Sequence, residues 1–155
     1  MSARAQQKRA GRSRRNKPPR RIDPMAWITR RMPLQPSQQI DLGIAYHASL
    51  QALLTGHGTE QAWATLACAL NVSMMLSEYG ICAPAIQTIK LAQEALLRAQ
   101  ERAGRTGKWA LDGDGIRTLQ AALNLHDEQI SRTTRDKITA ALREVHRRVS
   151  MGETL

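Results

Sequence analysis

The chain of 155 residues contains no phenylalanine, two tyrosines and three tryptophans. Bulk in any core must come from Leu, Ile, Val and Met, with Ala at the closer approaches, and Ala is also the best helix former. After Pro36 the only proline is Pro84, which leaves long windows for uninterrupted helices. Runs that alternate β-branched with polar residues are scarce, so strands are not expected. Long hydrophobic runs are missing too. The most apolar stretch, Ala62 to Leu76, covers 15 residues and includes Thr65, Asn71 and Ser73, short of the ~20 apolar residues that cross a membrane. No apolar segment of the secretory kind follows the charged N-terminus. A cytoplasmic protein without membrane attachment is expected.

Cysteine is limited to Cys68 and Cys82. If a helix runs from Cys68 to Tyr79 it covers about 16 Å. Three further residues hardly bring the chain back to the roughly 4.4–6.8 Å between Cα atoms that a disulfide needs. Free, buried thiols in a reducing compartment are expected.

Charge is balanced over most of the chain and heavily unbalanced at one end. Residues 1–31 hold 11 Lys or Arg against one acid, Asp23, whereas residues 32–155 hold 12 of each sign. The whole net charge of +10 therefore belongs to an appended segment. Residues 1–21 are Arg-rich, poor in apolar side chains and carry the Pro18-Pro19 pair. Such a segment buries too little surface to offset chain entropy and is expected to be a disordered tail.

What remains is helical in pattern. Residues 59–79 read TEQAWATLACALNVSMMLSEY. Trp63, Leu66, Ala67, Leu70 and Met74 recur at spacings of three and four, the mark of a buried helical stripe. The other side carries Ala62, Ala64, Ala69, Val72, Met75 and Leu76. A helix apolar nearly all round lies inside a fold, so this one is expected at the centre. Before it, Ser37 is expected to cap a helix ending near Leu54, with Leu42, Tyr46, Leu50 and Leu53 on one stripe and Ile40 and Ile44 as a second apolar patch. Thr59 caps the central helix. Pro84 suits the first position of the next, whose seam is Ala85, Ile89, Ala92, Leu96, Ala99 and Ala103. Asp112 or Asp114 caps a fourth helix with Ile116, Leu119, Leu123, His126 and Ile130 inward. Thr133, with Asp136 three residues on, opens a fifth, burying Ile138, Leu142, Val145 and Val149 and closing at Gly152.

The expected fold is thus all-α: a compact bundle of about five helices around a central apolar helix, preceded by a disordered basic N-terminal tail. Residues 1–21 form the tail, 22–36 a docking arm or linker and 37–152 the helical domain. In the arm, Met25, Trp27 and Ile28 serve either to dock it on the body or to bind a partner.

No catalytic constellation emerges. Gly56-His57-Gly58 and Gly113-Asp114-Gly115 do not complete a dinucleotide fingerprint, and Gly107-Lys108 is followed by Trp109 where a phosphate loop needs Ser or Thr. Asp112 to Asp114 suggests a calcium loop only faintly, since the twelfth position is Leu123 where a bidentate Glu is required. Capping and turn formation account for these aspartates. His47, His57, His126 and His146 occupy four different segments without paired ligand spacing, so no metal site is expected, and no cofactor. His126 stands on an apolar stripe, as a hydrogen-bonded core residue or as an acid–base group. His146-Arg147-Arg148 reads as charge placed at a helix C-terminus or as a second anionic contact.

The tail carries the functional signal. Arg9, Arg12, Arg14, Arg15, Lys17, Arg20 and Arg21, unopposed by acids, suit phosphate contacts made through counterion release. No aromatic residue interleaves them before Trp27, so base stacking is not indicated. DNA or RNA is one expected partner. An acidic protein is another, and solubility a third role. The nearly all-round apolarity of the central helix also suggests a homodimer that completes the core.

The stretches DLGIAYHASLQALLTGHGTEQAWATLACALN and WALDGDGIRTLQAALNLHDEQISRTTRDKITAALREVHRRV resemble a group of small helical bacterial proteins, mostly uncharacterised, often encoded near mobile or prophage-like regions. The likeness covers about Ile40 to Val149. It implies no known activity and supplies no functional residues.

Overall fold

The described residues form six α-helices: α1 (Pro24–Arg31), α2 (Pro36–Leu54), α3 (Glu60–Glu78), α4 (Ile86–Thr106), α5 (Gly113–Arg132) and α6 (Arg135–Ser150). The structure, a computed structural model, describes residues 24–153. No strand occurs among the described residues; two isolated bridges, Pro33 with Thr134 and Gly58 with Trp109, tie loops together. No helix among them is long and apolar enough to cross a membrane.

The expected arrangement holds: α3 is the axis and α2, α4, α5 and α6 pack on it. Eleven of its residues are buried, including Leu66, Leu70 and Leu76 with essentially no exposure. Trp63 and Met74 are half-buried rather than enclosed. The Trp63 indole donates to the Leu96 carbonyl of α4 at 2.8 Å. On α4, Ile89, Ala92, Leu96, Ala99 and Ala103 are all buried, the narrow seam read from their spacing. Gly115 permits α4 and α5 to close, because a Cβ there would stand 3.1 Å from the Ala95 Cβ. Gly58 is needed for a similar reason: a Cβ would sit 2.2 Å from the Trp109 carbonyl oxygen.

Helix starts are partly as expected. Thr59 accepts the Ala62 N–H at 3.1 Å, and Asp112 accepts that of Gly115 at 2.6 Å. Ser37, however, lies inside α2. The N-cap is Gln35, with Pro36 in the first turn, and Gln38 Oε1 accepts the Gln35 N–H at 3.3 Å. Proline fits the first turn because its missing N–H has no intrahelical partner there. Pro84 falls in a single 3-10 turn, Ala83–Ala85, so α4 starts at Ile86. Thr134, not Thr133, stands at the N-cap position of α6, its hydroxyl donating to Asp136 rather than capping a backbone N–H; Thr133 is buried.

Four expectations of burial fail on one side of the molecule. Leu142 and Val149 of α6 are 47% and 48% exposed, Leu42 leaves the α2 stripe exposed, and Cys68 is exposed rather than buried. Cys82 is half-buried, and both thiols are free. The cause is the path of α6. Its Ile138, Ala141 and Val145 pack with Val72, Met75 and Leu76 in the C-terminal half of α3, leaving Ala64 and Cys68 of the N-terminal half uncovered.

Helix α1 is tied to the start of α6 through its backbone: the Arg135 N–H donates to the Met32 carbonyl at 3.1 Å. Met25, Ile28 and Met32 remain exposed.

Candidate functional site

The polar residues that interrupt the apolar pattern of α3 converge with α5 on a buried network. Gln129 of α5 is wholly buried. Its Nε2 donates toward the Ser73 carbonyl (3.0 Å), Ser77 Oγ (2.8 Å) and the Ile81 carbonyl (3.1 Å). Its Oε1 accepts from Ser73 Oγ at 2.7 Å and faces His126 Nδ1 at 3.4 Å. A buried polar group without partners is costly, so such a network must be complete to be tolerated. The Gln129 amide fastens the end of α3, the following turn and α5 at one point. Nearby, Gln93 of α4 donates to the buried Asn71 at 2.9 Å.

His126 and Tyr46 adjoin this network, their rings tilted with centroids 5.3 Å apart. Burial is the main cause that lowers the His126 pKa to about 4, opposed by Gln129 and Asp127 and aided by His47. The imidazole is therefore neutral near pH 7. Of the two readings of His126, the structure supports the hydrogen-bonded core residue. The Tyr46 hydroxyl donates to Asp127 Oδ1, and His47 Nε2 lies 2.9 Å from Oδ2. Burial, then the hydrogen bond and charge of Asp127, raise the Tyr46 pKa. Asp127 thus clamps α2 to α5. The carboxylate orients the half-exposed His47, and among the described residues no hydroxyl or thiol hydrogen-bonds to the His47 ring.

Above this polar layer an apolar pocket of about 370 Å³ opens between α2, α3, α5 and α6. Ala64 and Cys68 line it from α3, Leu42 from α2 and Leu142 from α6, with Tyr46 and His126 also in its wall. A second depression of about 360 Å³ shares Ala64, Cys68 and Leu142 with it and continues toward Trp63 and Val149.

The remaining candidates separate. The tail residues Arg9, Arg12, Arg14, Arg15, Lys17, Arg20 and Arg21 lie outside the described residues, as does the Trp27 side chain; Met25 and Ile28 stand exposed on α1. Arg148 forms a two-pronged pair with Glu78 at 3.0 and 2.8 Å, and Arg147 one with Glu144 at 2.9 and 2.8 Å. Hydrogen bonds from Arg147 and Arg148 hold the Glu144 carboxyl at about 2. These two arginines are already matched by acids at the helix end. Asp112 caps α5 and accepts from Arg98 at 3.2 Å. No group of His, Cys, Asp and Glu that could hold a metal occurs among the described residues.

Fold and site together define an all-α bundle with a buried hydrogen-bond network centred on Gln129 beneath an open apolar pocket. No protein family, no curated protein and no solved structure matches the chain. Gln129 and Ser77 went unnoticed in the sequence. The available signal was polar residues at 71, 73 and 77 in an otherwise apolar helix, each of which must find a partner if the helix is central.

Proposed function

We propose that the chain is a non-enzymatic accessory protein, of the kind carried by bacterial mobile elements. Its tail contacts nucleic acid without sequence preference, and its helical body self-associates or binds a protein partner. The observation that carries this reading is the segregation of charge: 11 of 23 basic residues fall within the first 31, against a single acid. Arginines grouped in this way gain affinity from released counterions and little discrimination between bases. The arginine pairs of α6 support the tail as the anionic contact, because Arg147 and Arg148 already face Glu144 and Glu78.

The test is a salt titration of binding to unrelated DNA and RNA with the full chain and with residues 22–155. Engagement of about 6–10 phosphates weakens binding by roughly 10³–10⁵ between 50 and 200 mM salt. The truncated chain loses that binding; unchanged affinity after truncation refutes the tail's role.

A second reading, a scaffold protein of a virion or mobile element whose tail meets an acidic partner or keeps the chain soluble, is favoured by the exposed apolar residues. Ile40 and Ile44 stand one helical turn apart on α2, 59% and 61% exposed, and suit the interface of a homodimer. Sedimentation of the body as a dimer that Ile40→Glu and Ile44→Glu dissociate supports that interface, and a monomer at all concentrations counts against it.

A further inference from the structure

The pocket over His126 has a hydrogen-bonding polarity that the network below it determines. The Gln129 end that meets the Ser73 and Ile81 carbonyls must be the NH2, since both carbonyls only accept. The opposite end is the oxygen, which also only accepts. His126 Nδ1, which faces that oxygen, therefore carries the imidazole proton. In a neutral ring Nε2 is then the lone-pair atom. Nε2 has no hydrogen-bond partner among the described residues, although His126 is only 4% exposed and lines the pocket.

The hydroxyls around it are committed elsewhere. Tyr46 donates to Asp127, and Thr65 donates to the Gln61 carbonyl of its own helix at 2.9 Å. The deep wall thus offers an acceptor and no free hydroxyl donor. Among the described residues no charged side chain lines the pocket, and most of the lining is aliphatic. A buried charge without a partner is costly, so the deep part of the pocket favours an uncharged group. At about 370 Å³ the space falls at the lower end of the range typical of small-molecule sites.

We propose that this pocket binds an uncharged, mainly apolar small molecule with one O–H or N–H donor, and that His126 Nε2 accepts that hydrogen bond. The site is independent of the tail, so it stands or falls separately from nucleic-acid binding. Cys68 is the built-in reporter, an exposed thiol in the pocket wall.

The experiment measures alkylation of Cys68 by iodoacetamide in the full chain, read by mass spectrometry of the Cys68 peptide, with indole and 1-methylindole as probes. The two share an apolar bicycle, and only indole has an N–H. Indole slows alkylation severalfold at saturation, and 1-methylindole requires roughly three- to tenfold higher concentration for the same protection, the loss of one hydrogen bond. Ala64→Trp fills the pocket from an exposed position and abolishes the protection while leaving the melting temperature near that of the parent. His126→Leu, if it folds, makes the two probes equivalent. Equal protection by both probes in the parent, no protection at the solubility limit, or undiminished protection in Ala64→Trp overturns the proposal. So does a Cys68 that stays unreactive even at alkaline pH, where the thiol that burial pushes up is ionised, because a protein surface then already fills the pocket.

Discussion

Both halves of α3 are rich in apolar residues, yet their surroundings differ. In the C-terminal half Val72, Met75 and Leu76 lie beneath α6, and Ser73 and Ser77 are bonded to Gln129. In the N-terminal half Leu66 and Leu70 are enclosed by α2, α4 and α5, while Ala64 and Cys68 on another side face solvent. Composition therefore does not decide which side of an apolar helix is core. The crossing of a neighbour does, and where α6 diverges the apolar surface becomes a pocket wall.

The sharpest break of this comparison is a pair of substitutions two residues apart. Leu70→Ala, at a position without exposure, is expected to cost about 2–5 kcal/mol. Cys68→Ser stays within about 0.5 kcal/mol, as surface changes do. Urea denaturation measures both, and similar losses would mean that the open side is covered in solution.

Next in size is the response to acid. His126 has a folded pKa of about 4 against the ordinary 6.5, chiefly through burial. Between these values the unfolded chain holds the extra proton, so stability is greatest above pH 6.5 and falls as the pH drops. The loss reaches about 3 kcal/mol near pH 4 and then levels off for this group. Denaturation at intervals from pH 7 to 4 measures the slope, and His126→Gln removes this contribution. An unchanged slope in the variant would place the buried proton acceptor elsewhere.

The smallest effect has the opposite sign. Thr133 is buried and its hydroxyl has no hydrogen-bond partner among the described residues. Thr133→Val keeps the shape and removes the unsatisfied group, with an expected gain of about 1 kcal/mol. A loss in the same denaturation assay would show that the hydroxyl is satisfied in solution.

Much of the helical framework was legible in advance because its signals are local. Leu66 and Leu70, the Ile89 to Ala103 seam and the caps at Thr59 and Asp112 follow from periodicity and from the orphan N–H groups of a helix start. The displaced starts at Gln35 and Thr134 lie close to the expected positions, where neighbouring residues compete as caps. The site was less legible. Tyr46 meets Asp127 across 81 positions, and Ser73 meets Gln129 across 56, pairings that no local rule relates.

The residue pattern alone determined that the described body is all-α, that α3 is its axis, and that the charge excess sits in one appended segment. These are properties of composition and of contacts a few residues apart. Only the tertiary structure decided that Leu142, Val149 and Cys68 face outward, that Gln129 orients the proton of His126, and that an apolar pocket opens above that ring. The outward residues and the pocket follow from where α6 crosses α3, and the His126 proton from the packing of α5 on α3; both are set by side chains far apart in the chain.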